Sequence, residues 1–221
     1  HPGCTNGDLS SHVAQVSAEN SEQVGGYIKV LRERYRMIER RLPIFSKAKA
    51  PTGRFYIRDN FLRSWLHALK SSVEAVHFRP VAELVRLSDQ RLAEAEGHSL
   101  ESLAATLYEE RSRKGRDGFA LTSRIEGYWD RGGTELDLVA LNETAKVLRI
   151  GNCKRSAERL CTSLDEYDAH IARFMAAIGA RFEGWQVERV GISPSLDAAQ
   201  RTRLTRHGYI AQDLRDLMKD L

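Results

Sequence analysis

Thr134-Glu135-Leu136-Asp137-Leu138-Val139-Ala140-Leu141 and Lys146-Val147-Leu148-Arg149-Ile150-Gly151-Asn152-Cys153-Lys154, joined by the turn Asn142-Glu143-Thr144, decide the fold of this 221-residue chain. Each run is apolar and β-rich, and the short turn between them predicts two strands lying side by side. Side chains alternate along a strand, so Glu135, Asp137 and Val139 share one side while Leu136, Leu138 and Ala140 share the other. Asn152 and Lys154 share a side of their own strand by the same rule. An acid in the middle of an apolar strand needs a partner, and a lysine from the neighbouring strand can supply it.

Working outward, residues 119–129 read as a strand and Asp130-Arg131-Gly132-Gly133 as a turn, which makes a three-stranded meander. Downstream, the spacing predicts a helix over 164–178 with Leu164, Tyr167, Ile171 and Met175 on one face. A strand over 186–192, a helix over 195–204, a short strand at 209–211 and a terminal helix from 213 follow. Residues 91–221 are therefore expected to form an α/β domain, a mixed sheet flanked by helices. His170 and His207 have no companions at metal-ligand spacing and read as packing or surface residues, and Trp185 reads as core.

Upstream of the sheet the pattern is helical. Asp59 or Asn60 caps a segment whose stripe is Phe61, Leu62, Trp65, Leu66 and Leu69, with Trp65 read as core. A second stretch follows Pro80 (Val81, Leu84, Val85, Leu87, Leu92) and is expected to end near Gly97. A third opens at about Ser99, with Glu101 in its first turn and Leu100, Leu103, Leu107 and Tyr108 on one side. Residues 59–90 thus read as a helical connector. Residues 1–58 read as helix, helix, hairpin, the order of a winged helix. Leu9, Val13 and Val16 mark the first helix. Val24, Tyr27, Ile28, Leu31 and Tyr35 mark the second, with Asn20-Ser21 as its N-cap and Gly25-Gly26 weakening it. Strands at 37–45 and 54–58 flank a basic loop at 46–53. Taken whole, the expected class is α+β.

Composition narrows the function. Thirty-four Lys plus Arg against 30 Asp plus Glu leave a formal charge of +4, with 42% apolar and 29% charged residues. This is globular composition, and no apolar run approaches the roughly 20 residues a membrane span needs. No membrane partner and a cytoplasmic location are the expectation. Three cysteines exclude a disulfide framework, and Cys153 and Cys161 are expected to stay reduced. The excess charge is local: residues 29–58 hold ten basic side chains against Glu33 and Glu39. Lys29, Arg32, Arg36, Lys47, Lys49 and Arg54 are the candidate contacts to a phosphate backbone. A solvated basic helix face with a basic wing explains the same charge equally well.

The acids and the lysine suggest chemistry. Carboxylates can hold a divalent metal, the metal lowers the pKa of a water, and an ammonium beside it stabilises charge on the reacting phosphate. The motif Glu135-x-Asp137, followed by Asn152-Cys153-Lys154, resembles the nuclease core of the PD-(D/E)XK, restriction-endonuclease-like superfamily. More closely, the chain resembles the C-terminal half of archaeal-type P-loop ATPases, in which a winged helix and an endonuclease-like domain follow the ATPase module. Tyr27-Ile28-Lys29-Val30-Leu31, Arg54-Phe55-Tyr56-Ile57-Arg58-Asp59-Asn60-Phe61-Leu62, Tyr128-Trp129-Asp130-Arg131 and Glu135-Leu136-Asp137-Leu138-Val139-Ala140-Leu141 carry that resemblance, in the same order.

The resemblance implies that the superfamily's helix acid corresponds to Glu101, its central aspartate to Asp137 and its lysine to Lys154. These would be the catalytic residues, with Asp137, Glu135, Asn152 and Glu101 around Mg²⁺. One position departs from the pattern: where these ATPases read Glu-Cys-Lys, this chain has Asn152-Cys153-Lys154. An asparagine offers a carbonyl oxygen but no charge, and Glu135 is the residue expected to compensate. No Gly-x-x-x-x-Gly-Lys-Ser/Thr occurs, so ATP belongs only to an ATPase module expected to precede His1. Two functions stay open. One is Mg²⁺-dependent cleavage of DNA. The other is a non-catalytic module that binds DNA or a protein partner, such as the ATPase module, and keeps Asp137 and Lys154 as a structural ion pair.

Overall fold

The computed structural model describes residues 3–16, 23–116, 118–219 and 221. It divides into two compact units, residues 1–96 and 97–221. The class is mixed α/β: a five-stranded mixed sheet flanked by helices, and a small antiparallel sheet. Among the described residues, no helix is long and apolar enough to cross a membrane.

In the first unit α1 (Asn6–Val16) and α2 (Val24–Glu33) precede a hairpin of β1 (Ile38–Arg41) and β2 (Arg54–Ile57). This is the expected helix–helix–hairpin order, but the first strand is four residues rather than nine. Pro43 cannot donate to a ladder, and Phe45 has a positive φ of 67°. The free side of β2 is also used, because Cys4 and Phe55 exchange both backbone hydrogen bonds. On α2, Val24 and Ile28 are buried while Tyr27 is exposed, and Tyr35, also exposed, lies past the helix end, so the buried face is narrower and shorter than the sequence pattern implied. The expected cap at Asn20-Ser21 lies outside the described residues; Gln23 stands at the N-cap without a capping bond, its side chain accepting instead from the Tyr27 hydroxyl at 3.2 Å.

Asp59 caps α3 (Asn60–Ser64), its carboxylate accepting from the Leu62 N–H at 2.6 Å. A π-helical stretch, Trp65–Leu69, leads into α4 (Lys70–Ala75). Trp65 is half-buried and stacks on Phe61 rather than sitting in a core. The largest departure from expectation is α5 (Val81–Arg113), a single 33-residue helix that runs through Gly97. One glycine costs a helix about 1 kcal/mol, and the buried stripe of Leu84, Ser88, Ala95, Leu100, Ala104 and Tyr108 continues on both sides of it.

The second unit is built on the sheet β3-β4-β5-β6-β7. Its strands are β3 (Glu126–Trp129), β4 (Glu135–Asn142), β5 (Val147–Cys153), β6 (Gln186–Ser193) and β7 (Tyr209–Asp213). The first three pair antiparallel and the last three parallel. Parallel pairs need crossovers. These are α6 (Ala157–Thr162) with α7 (Leu164–Ile178), then α8 (Ala198–Arg206), whose capping box uses Asp197 and Gln200. The last helix, α9, spans Leu214–Met218.

The segment before β3 is shorter as a strand than expected. Residues 119–125 lie outside the ladder, although Thr122 N–H still bonds the Leu141 carbonyl. Phe119 is buried, and Leu121 and Ile125 pack against the core of Leu100, Ala104, Tyr108, Leu138, Cys153, Val190, Ile192 and Leu217. Their apolarity reports burial, not strand pairing. In β6, Gly191 is required by close packing, since a Cβ there would lie 2.8 Å from Leu204 Cδ2.

Candidate active site

The backbone pairing of β4 with β5 runs from Asn142↔Val147 to Leu138↔Gly151 and there gives way to side chains. Asp137 occupies the opening. Its Oδ2 accepts the Cys153 backbone N–H at 2.8 Å and lies 3.3 Å from Lys154 Nζ. On the other side of the opening the Tyr167 hydroxyl, from α7, accepts the Asp137 N–H at 3.3 Å and donates to the Gly151 carbonyl at 2.6 Å. The Lys154 backbone is held separately, its N–H donating to the Ile192 carbonyl of β6 at 3.0 Å.

Burial raises the Asp137 carboxyl most, the Glu101 charge from α5 raises it further, and Lys154 and the Cys153 N–H oppose them; the result is about 6. For Lys154, burial is the largest influence and acts to lower the value, but the charge and hydrogen bond of Asp137 together with the Glu101 charge hold the ammonium above its ordinary value. Cys153, a buried free thiol, is pushed up by burial and by the same two acids. The structure therefore brings together three of the residues singled out in the sequence: Asp137, Lys154 and Glu101. The Asp137 side chain is only 9% exposed and that of Lys154 is 35% exposed, so the lysine side chain is partly open to solvent.

Asn152 is fully buried, and neither its Oδ1 nor its Nδ2 has a hydrogen-bond partner among the described residues. An orphaned buried amide costs free energy on the order of 1–3 kcal/mol. Glu135 stands differently from the expected compensating acid. It is exposed at the start of β4, and its backbone N–H donates to His170 Nδ1 at 2.9 Å. That bond gives His170 a packing role.

Among the described residues no group of three His, Cys, Asp or Glu side chains is disposed to hold a metal ion. Of the oxygen donors singled out in the sequence, the Asp137 and Glu101 carboxylates interact electrostatically, and Asn152 Oδ1 is buried without a hydrogen-bond partner among the described residues. Both hydrogen bonds to Asp137 fall on Oδ2, which leaves Oδ1 uncommitted. Oxygen donors of this kind are the type that hard cations such as Mg²⁺ prefer over soft ones.

The six basic candidates all lie in the first unit. Lys29, Arg32, Arg36, Lys47 and Lys49 are exposed and Arg54 is half-buried. Arg32 pairs with Glu33. The loop carrying Lys47 and Lys49 is organised by Arg40, which in the sequence is one more charge of the basic run. Its guanidinium donates to the Ala48 carbonyl at 2.9 Å and the Ala50 carbonyl at 2.5 Å.

No protein-family model matches the chain, and no solved structure matches it. A curated protein from Methanocaldococcus jannaschii, "Uncharacterized protein MJECL04", is 30% identical over 122 residues, 54% of this chain. The match covers 26% of that protein, so this chain corresponds to about a quarter of its length.

Proposed function

We propose that residues 97–221 form a metal-dependent site for phosphodiester hydrolysis, served by a DNA-binding basic unit within a longer ATP-binding protein. The observation that carries the reading is the convergence of Asp137, Lys154 and Glu101 where β4 and β5 part. A largely covered carboxylate facing a second, half-buried acid beside a lysine is an unfavourable charge arrangement, of the kind concentrated at functional sites.

In this reading Asp137, Glu101 and the Asn152 carbonyl oxygen would hold Mg²⁺, which when bound would lower the pKa of a water beside the phosphate. Lys154 stabilises negative charge that builds on the phosphate oxygens in the transition state. Its ammonium is fixed by Asp137, so it need not reorganise during the reaction. The Cys153 N–H restrains the same carboxylate and keeps Oδ1 available. The exposed side chains of Lys29, Arg32, Arg36, Lys47 and Lys49 provide affinity for the backbone without reading sequence.

The test is incubation of the full chain with plasmid and with single-stranded DNA, in Mg²⁺ or Mn²⁺, beside Asp137→Ala. Cleavage that depends on metal and vanishes in Asp137→Ala supports the proposal. No cleavage, or cleavage unchanged by the substitution, overturns it.

Asn152 favours a second reading. With an amide in place of a third acid, the Asp137–Lys154 pair also suits a module that binds DNA or a protein partner without catalysis, the ATPase module among them. That reading expects no cleavage, and DNA affinity that falls steeply with salt if the basic unit is the contact. Binding indifferent to salt points instead to the protein partner.

A further inference from the structure

Tyr167 enters the site from α7, and the sequence shows it only as one member of an apolar stripe. Leu164 and Ile171 of that stripe are buried in the ordinary way, while Phe174 takes the buried position in place of the expected Met175, which is half-buried. Tyr167 is buried too, but its hydroxyl has a second task. It inserts between β4 and β5 and takes up one backbone group from each strand, the Asp137 N–H and the Gly151 carbonyl. A direct strand-to-strand bond at this point would close the opening. The phenol instead bridges these two groups at the end of the backbone pairing, beside Leu138↔Gly151, where the Asp137 carboxylate accepts the Cys153 N–H.

We infer that Tyr167 is the positioning residue for Asp137, its hydroxyl holding β4 and β5 apart so that the carboxylate reaches the Cys153 N–H and Lys154. Its consequence for catalysis rests on the hydrolytic reading above; the geometric claim does not. Phenylalanine at this position would keep the ring packing and lose both hydrogen bonds. The Asp137 N–H and the Gly151 carbonyl would then seek each other, and the carboxylate would lose its place opposite Cys153.

Hydrogen exchange of the full-length chain, followed by NMR, separates positioning from general support. Lys154 N–H is the internal reference, because it bonds Ile192 in β6 and not Asp137. In Tyr167→Phe the Cys153 amide is expected to exchange at least about ten times faster relative to the Lys154 amide than in the unsubstituted chain. Asp137→Ala, which removes the acceptor itself, should give the same selective acceleration. Equal acceleration of both amides, or none, overturns the inference.

A second measurement needs no substitution. The 2.6 Å bond to Gly151 requires a slowly exchanging Tyr167 hydroxyl proton in the unsubstituted protein, and a freely exchanging hydroxyl overturns the inference even if Tyr167→Phe does not fold. With Mn²⁺ and DNA, Tyr167→Phe is expected to lower kcat about tenfold or more and leave KM unchanged. If the unsubstituted chain cleaves nothing, the hydrolytic reading falls, while the amide comparison still decides the role of Tyr167.

Discussion

The Cys153 backbone N–H donates to Asp137 Oδ2 at 2.8 Å, so a carboxylate stands where an antiparallel ladder would place a carbonyl. This bond and the Lys154 ammonium favour the charged form of Asp137. They do not overcome burial and the neighbouring Glu101, which leave the group near 6.

That balance sets a pH dependence. A carboxyl raised from 3.8 to about 6 adds stability that is fully present below pH 3.8 and is lost as pH rises through about 6. Asp137→Asn keeps an oxygen for the Cys153 N–H and removes the charge. At pH 7 the variant should be more stable by about 1–2 kcal/mol, with the advantage gone by pH 4. Urea unfolding of both proteins across pH 4–8 measures the difference, and a less stable variant at pH 7 would show that the acid is held comfortably.

Lys154→Met takes away the cation that the two acids share. Asp137 then rises further, so the variant should lose about 2–3 kcal/mol at pH 7 and recover much of it near pH 5. A loss independent of pH would mean that the lysine stem, not its charge, supports the site. Thermal melts at the two pH values are sufficient.

Arg149 of β5 lies directly opposite Glu188 of β6, with Nη2 to Oε2 at 2.9 Å, and its guanidinium sits 4.1 Å from the centre of the Phe119 ring. Both charged side chains are mostly covered, at 13% and 20% exposure. Arg149→Met should therefore destabilise by about 2–4 kcal/mol, because it strands a mostly buried carboxylate. Adding Glu188→Gln should restore part of that loss. A double-mutant cycle by chemical denaturation tests the coupling, and strict additivity would refute it.

Gly191→Ala places a methyl against Leu204, a side chain with no exposed surface. The expected loss is about 1–3 kcal/mol, and Leu204→Val in the same chain should relieve some of it. A neutral single substitution would show that α8 can shift outward.

In the first unit, Lys47→Ala with Lys49→Ala should weaken DNA binding and make the slope of log affinity against log salt shallower by about 1–2. Arg40→Ala frees the loop that carries both lysines and should give an intermediate slope. Fluorescence anisotropy with a labelled duplex at several salt concentrations reads both effects. An unchanged slope in the double variant would remove this loop from the interface.

The sheet was legible because β4 and β5 are nearly uninterrupted apolar runs, and the Asp137–Lys154 meeting followed from alternation on neighbouring strands. The continuity of α5 was not legible. A glycine at 97 looks like a stop signal, and only the buried positions on either side of it overrule the propensity. Residues 119–125 misled in the opposite direction, since Phe119, Leu121 and Ile125 are apolar to fill a core rather than to join a ladder. Tyr167 escaped notice because its partners lie 16 and 30 positions away, and a helical stripe does not reveal what a hydroxyl bonds. Asn152 was conspicuous as a departure, but that its side-chain amide lacks a hydrogen-bond partner among the described residues is a property of the packed interior.

One of the donors that hold Asp137 belongs to the main chain, and this governs how the site responds to sequence change. Replacing the Cys153 side chain with alanine or serine leaves its N–H in place; only proline removes it. A scan of substitutions at residue 153 would record tolerance set by the room around a buried thiol, and would register nothing of its contact with the carboxylate. The residue would look like filler while its backbone goes on serving the acid, so mutational sensitivity at this position underestimates its importance.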